Sequence, residues 1–229
     1  MLMYGSSLGA FSTVIHGFTT RVDSQGDHLD LGTMAGASDW ARVARDMRMP
    51  GAETARVSQV HGSDVVWARA PGFAGEADAI ITDVPGLLIA IRTADCVPIL
   101  VVGEGVVAAI HAGWRGLAAG VIPAAVTELQ GRGPLTAVVG PSICMDCYEV
   151  GEEVVEGIAQ WVAPHHFVDR SRKKPHVDGG AAAVAQLHSV GVAHVERLDV
   201  CTRCDDRLWS HREEGALAGR QAAVVGIRC

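Results

Sequence analysis

The stretch VPILVVGEGVVAAIHAGWRG, Val97 to Gly116, decides how the chain is read. Two runs rich in Val and Ile, Val97–Val102 and Val106–Ile110, have the composition of strands, and Gly103-Glu104-Gly105 between them suits a tight hairpin. The second run ends at His111 and passes through Gly113 and Gly116 into an apolar stripe at helical spacing (Leu117, Val121, Ile122, Ala125, Val126, Leu129). Pro123 sits inside that stripe, so the helix must kink or start late unless Pro123 occupies a first turn.

Outward from this segment the same signals recur. Strands are expected at Ala55–Val60, Asp64–Arg69, Ala77–Ile81, Leu87–Ile91, Leu135–Val139, His194–Leu198 and Ala222–Ile227. Helical spacing appears at Trp40, Val43, Ala44 and Met47, with Ser38 as N-cap. It returns at Val154, Val155, Ile158, Trp161 and Val162, behind the acidic pair Glu152 and Glu153 that suits a helix start. Ala70–Glu76, Gly131–Pro134 and Ser171–Gly180 read as loops. Strands bunched in the middle with helices after them predict a mixed α+β fold, in one domain over residues 1–229.

Composition narrows the function. At 48% hydrophobic and 20% charged residues the chain has ample material for a core. A net charge of −7 argues against nucleic acid as a partner. The most apolar region, Ile80–Ile110, is interrupted by Asp83, Pro85, Arg92, Asp95, Pro98 and Glu104, too often to span a bilayer. The first residues lack the basic region of an export signal, so the cytoplasm is the expected compartment, with reduced thiols. Oligomeric state stays open. The chain carries 10 His and 6 Cys, and the question is which of them do chemistry.

Three of them sit at strand ends. His61 follows SQV, Cys96 opens the strand VPILVV, and His111 closes VVAAI. A Cys and two His supply three soft ligands and leave a fourth tetrahedral position, the pattern of a catalytic zinc. Their separations of 35 and 15 residues form no compact metal motif, and ordinary turn histidines with a buried thiol are the competing reading. In HAGWRG, Gly113 and Gly116 allow close backbone approach and Arg115 offers an anion-binding fork; a plain strand-to-helix turn with a solvated Arg is the other reading. Cys144 with Cys147 and Cys201 with Cys204 repeat a CxxC spacing 57 residues apart, either as a four-thiolate structural zinc site or as free thiols. Lys173, Lys174, His176 and Asp178 make a polar cluster that fits a solvated loop or a contact to an anionic substrate. Ser210-His211 is discounted as a catalytic pair, because adjacent residues point apart and no third partner is indicated.

The blocks SQVHGSDV, ADAIITDVPGLLIAIRTADCVPIL, AAIHAGWRGL, VVGPSICMDCYEVG and SHREEGALAGR together resemble the YfiH-type multicopper polyphenol oxidoreductase (laccase-domain) family, in order from about Ile15 to Ile227. The resemblance implies a single α/β domain with mixed sheets packed between helices, similar to the cysteine-hydrolase fold. It implies phosphorolysis of adenosine, inosine, guanosine and methylthioadenosine, and adenosine deamination. It implies a metal held by His61, Cys96 and His111, with zinc expected and copper as the other candidate. Lys174 and Asp178 match a Lys and an Asp of the family's late segment; HLDLGTMAGASD departs from the family's usual SxNLGxxxGD. On this reading Cys96, His111 and Asp95 carry catalysis, Asp95 as acid/base or as orienter of a ligand His, and Arg115, the Gly113 turn, Lys174 and Asp178 receive substrate or phosphate. Two other enzyme readings use the same residues: a thiol hydrolase or amidase acting on a cell-wall precursor, with Cys96 as nucleophile and His111 as base, and a copper phenol oxidase. The latter needs several coppers close together, and the chain has no HxH pair to assemble them. A non-enzymatic module stabilised by zinc on the four CxxC thiols is the last alternative.

Overall fold

The computed structural model describes residues 2–229. Strands and helices are numbered along the chain. One six-stranded sheet has the order β1 (Leu2–Met3), β2 (Val14–Thr19), β14 (Gln221–Ile227), β7 (Leu88–Thr93), β3 (Thr54–Ser58) and β5 (Gly72–Glu76). A second has the order β13 (His194–Arg197), β10 (Thr136–Val139), β8 (Val97–Gly103), β9 (Val106–Ala112), β6 (Ala79–Thr82) and β4 (Val65–Trp67). Both are mixed: β3 pairs parallel with β5 and β7, β4 with β6, and β10 with β13, and the remaining pairs are antiparallel. A small antiparallel pair, β11 (Val168–Asp169) and β12 (His176–Val177), stands apart.

The two sheets pack face to face, and helices cover their outer faces. Phe18, Ile89, Ile91 and Val225 of the first sheet meet Ile80, Leu100, Val102 and Val107 of the second in the inner layer. The other face of the second sheet (Ile99, Val101, Ala108, Ile110) lies against α2 (Trp114–Ala119), α3 (Val121–Glu128), α4 (Glu152–Ala159) and α5 (Gly179–Ser189). The other face of the first sheet carries α1 (Ala37–Asp46) through Trp40, Val43 and Ala44; a short α6 (His211–Glu214) precedes β14. The four inner strands of the second sheet, β10, β8, β9 and β6, are therefore buried on both sides. That explains why β8 and β9 are unbroken apolar runs without the alternation of a half-exposed strand.

Several sequence expectations need correction. The stripe from Leu117 to Leu129 is two helices, because Gly120 takes φ +81° between them; Pro123 lies in the first turn of α3, where its missing N–H costs nothing. The N-cap of α1 is Gly36 rather than Ser38, and Asp39 Oδ2 accepts the Gly36 N–H at 2.9 Å. Trp161 lies beyond the end of α4, where its indole N–H donates to Ala118 O at 2.9 Å. Part of Ala70–Glu76 is the edge strand β5, and Ser171–Gly180 contains β12 and the start of α5. β2 was not anticipated at all. No helix among the described residues is long and apolar enough to cross a membrane.

Candidate active site

The site lies at the end of the sandwich where the chain crosses between its sheets. His61 is on the loop from β3 to β4, and Cys96 on the loop from β7 to β8; both loops leave the first sheet and enter the second. His111 is the penultimate residue of β9, directly opposite Pro98 of β8. Hairpin register thus brings His111 beside the residue preceding Val97. His61 adopts φ +60°, and Asp95, immediately before Cys96, φ +89°; both values are unusual for residues with side chains. Such conformations persist only where the surroundings hold them.

The surroundings do so through two carboxylates. Asp78, at the start of β6, is fully buried and accepts the backbone N–H groups of Val60 (3.1 Å), His61 (3.0 Å) and Gly62 (2.7 Å), which shapes the His61 loop. Its Oδ1 also accepts from His111 Nδ1 at 2.7 Å. Asp95 Oδ1 accepts from Thr202 Oγ1 at 2.6 Å, and Oδ2 from the Arg212 N–H at 2.6 Å. The orienter of His111 is therefore Asp78, not Asp95, whose carboxylate instead ties the Cys96 loop to the 200–212 segment.

The ligand atoms of His61, Cys96 and His111 all lie within 4.8 Å of one another, and the two imidazoles meet edge to face with centroids 4.9 Å apart. Asp78 occupies Nδ1 of His111 and so leaves Nε2 for a ligand, the arrangement that typifies metal-bound histidine. Gly113 makes room for the cluster: a Cβ there would stand 3.1 Å from Cys96 Sγ and 3.1 Å from His61 Cδ2. Burial pushes the Cys96 thiol up, but the charge of His111 and hydrogen bonds from His111 and His61 outweigh it and bring it down to about 6. Burial pulls His111 down, yet the Cys96 charge and the Asp78 bond raise it to about 9. Burial alone would raise Asp78, but His111 and the backbone donors hold it below the usual carboxylate range. The trio thus favours a thiolate, and its donor set of two imidazoles and one sulfur fits a borderline-soft ion with an open position.

Two hollows meet at this cluster. One is an apolar cavity of about 210 Å³ walled by Val97, Trp114, Leu117, Ile143, Tyr148 and Ile158. The other is a wider cleft of about 640 Å³ bearing Arg92, Arg220, Gln59, Thr33 and Asp30. Cys96, His211 and Ala94 line both. Arg92 is half-buried, and its guanidinium has no carboxylate partner among the described residues; burial and the nearby Arg56 and Arg220 lower its pKa. The anion-binding candidates from the sequence sit differently. Arg115 is exposed and stacks on Trp114 at 4.4 Å, and Lys174 is exposed and paired with Glu149 at 2.9 Å. Asp178 caps α5 by accepting the Ala181 N–H and pairs with Arg197 at 2.9 Å. Asp78, Arg92, Tyr148 and His211 went unassigned in the sequence.

A purine nucleoside phosphorylase of Deinococcus radiodurans is 36% identical over 240 residues, 93% of this chain and 89% of that one. Adenosine deaminase RL5, from an unknown prokaryotic organism, is 39% identical over 157 residues, 62% of this chain and 59% of its own. The crystal structure of YlmD from Geobacillus stearothermophilus superposes with a TM-score of 0.86 at 28% identity, covering 96% of this chain and 93% of that one. Residues 16–228 match the family described as multi-copper polyphenol oxidoreductase laccase, and the chain belongs to that family.

Proposed function

We propose that this chain is a metal-dependent purine nucleoside enzyme: it cleaves the glycosidic bond of adenosine, inosine, guanosine and methylthioadenosine with phosphate, and deaminates adenosine. The observation that carries the reading is the meeting of an apolar cavity and a cationic cleft at the His61–Cys96–His111 cluster. A nucleoside has the matching division, a flat apolar base joined to a polar sugar whose C1′ must meet phosphate. The names of the relatives, a phosphorylase and a deaminase, point the same way.

On this reading His61, Cys96 and His111 hold the metal, with zinc favoured. A catalytic zinc supplies Lewis acidity and lowers the pKa of water to about 7. Copper chemistry of the multicopper kind needs several ions together, whereas the described residues offer one His2Cys set and one separate set of four thiols. Asp78 keeps His111 in the ligand tautomer. Tyr148 and Trp114 wall the cavity for the base, and Arg92 with Arg220 seats phosphate against the sugar. In phosphorolysis a phosphate oxygen forms the bond to C1′ as the C1′–N9 bond breaks, and the departing base takes up a proton. His211, common to both hollows, is our candidate donor.

Incubation of the metal-replete enzyme with adenosine or inosine, with and without phosphate, tests the reading by chromatography of the products. Free base and ribose 1-phosphate are expected only with phosphate, and inosine from adenosine without it. Absence of every product would overturn it. The depressed Cys96 thiol beside a raised His111 favours one second reading, a thiol hydrolase with Cys96 as nucleophile. Its signature is activity that survives chelation and is abolished by alkylation of Cys96.

A further inference from the structure

Away from the candidate active site the fold gathers a second set of soft ligands. The CxxC turns follow β10 and β13, which pair in parallel with Val139 opposite Arg197 and so release their chains side by side. Pairing continues past the strands: the Ser142 N–H donates to Val200 O at 3.2 Å and the Thr202 N–H to Ser142 O at 3.1 Å. Each CxxC closes on itself, with the Cys147 N–H donating to Cys144 O at 3.1 Å and the Cys204 N–H to Cys201 O at 3.2 Å. The four sulfurs lie within 4.8 Å of one another, Cys147 Sγ and Cys204 Sγ at 3.4 Å, and none is in a disulfide. A tetrahedral zinc with Zn–S bonds of about 2.3 Å needs sulfurs about 3.8 Å apart, close to this spacing.

We propose that Cys144, Cys147, Cys201 and Cys204 form a four-thiolate zinc site that fastens the 141–148 loop to the 200–205 loop. Four thiolates on one Zn2+ carry a net double negative charge, which needs nearby donors. The Cys144 N–H donates to Cys201 Sγ at 3.3 Å, and the Arg203 guanidinium, paired with Glu213, also lies against Cys147. The site acts at a distance on the catalytic cluster. Thr202, between its cysteines, holds Asp95 in its φ +89° conformation next to Cys96, and Tyr148 of the apolar cavity directly follows Cys147. The zinc is a positioning element, not a reacting one, and this inference does not depend on the nucleoside reading.

Metal analysis of the purified full chain tests it. Two zinc ions per chain are expected for the wild type, one for C147S/C204S and one for H61A/H111A. A wild-type metal content that C147S/C204S retains in full would overturn the site. Should the cysteine variant fail to fold, cobalt reads the site with all cysteines intact. H61A/H111A loaded with Co2+ is expected to bind one equivalent with the sulfur-to-metal absorption of four thiolates, and failure to bind it overturns the proposal. In the wild type, two Co2+ equivalents whose combined sulfur-to-metal absorption does not exceed that of one thiolate would overturn it equally. Loss of nucleoside activity with two zincs still bound would instead sink the functional reading and leave this site standing.

Discussion

The Nδ1–H of His111 donates to Asp78 Oδ1 at 2.7 Å, and the same carboxylate receives the backbone N–H groups of Val60, His61 and Gly62. One buried side chain thus sets the tautomer of one ligand and the loop of another. Asp78→Asn replaces an acceptor oxygen by an NH2 donor that cannot satisfy all four donors. Partners of this kind are worth about 10–100-fold in metal affinity. We expect D78N to lose metal affinity in that range, measured by competition with a chromophoric chelator. Unchanged affinity would show that Asp78 only shapes the loop.

Gly113 has φ −68°, so its lack of a side chain serves space and not backbone freedom. A Cβ there would meet Cys96 Sγ and His61 Cδ2 at 3.1 Å each, tighter than ordinary contact. Gly113→Ala must move both ligands or the turn. Overpacking of this type costs about 1–3 kcal/mol, and a loss of 1.4 kcal/mol is about tenfold in affinity. G113A is therefore expected to fold, by circular dichroism, while binding the metal about tenfold more weakly or worse. Full metal affinity would mean that the cluster contracts elsewhere.

How much of this was legible in the sequence depended on distance along the chain. The β8–β9 hairpin and the strand-end placement of Cys96 and His111 are local, because Gly103 to Gly105 and the flanking runs need no partner to be read. β2 escaped notice because VIHGFT carries a His and a Gly, and its central place comes from β14 at the other end of the chain. Asp78 was invisible for the same reason: it reaches His111 only through the β6–β9 register, which places Ala79 opposite Ile110. The glycine-rich GFAGE becomes a strand because β3 supplies a parallel partner. The CxxC spacing was evident, whereas the convergence of the two pairs depends on β10 lying beside β13.

Neither arginine of the wide cleft has a carboxylate partner among the described residues, but Arg220 donates to Ala218 O and Gly219 O, which leaves Arg92 as the better anion seat, whereas Lys174 is paired with Glu149. Hydrogen bonds to charged groups contribute about 1.5–3 kcal/mol, or roughly ten- to a hundredfold. Under the phosphorolysis reading Arg92→Gln should raise KM for phosphate by that factor and KM for inosine much less. Lys174→Gln should move neither by more than about twofold, in keeping with the small energies of surface ion pairs. The reverse ranking would transfer the phosphate seat to the β12 loop.

Glu196 on β13 ties down the beginning of the chain: its carboxylate accepts from the Ser6 N–H at 2.9 Å, the Ser7 N–H at 2.6 Å and Ser6 Oγ at 3.1 Å. Burial pushes its pKa up, but these donors outweigh burial and hold it at about 2, against an ordinary 4.5. Because the folded value lies below the unfolded one, the unfolded chain binds the extra proton between these values, and stability rises with pH across that window. The contribution is complete above about pH 5, falls as the pH drops through 4.5 toward 2, and is gone below the folded value. Glu196→Gln has no such titration, so the difference between wild type and E196Q isolates the term from all other carboxylates. Urea melts of both proteins at pH 7, 4 and 3 should show wild type more stable at pH 7 and the gap narrowing at each acid step. A gap that stays constant from pH 7 to 3 would mean that the serine contacts do not depend on the charge of Glu196.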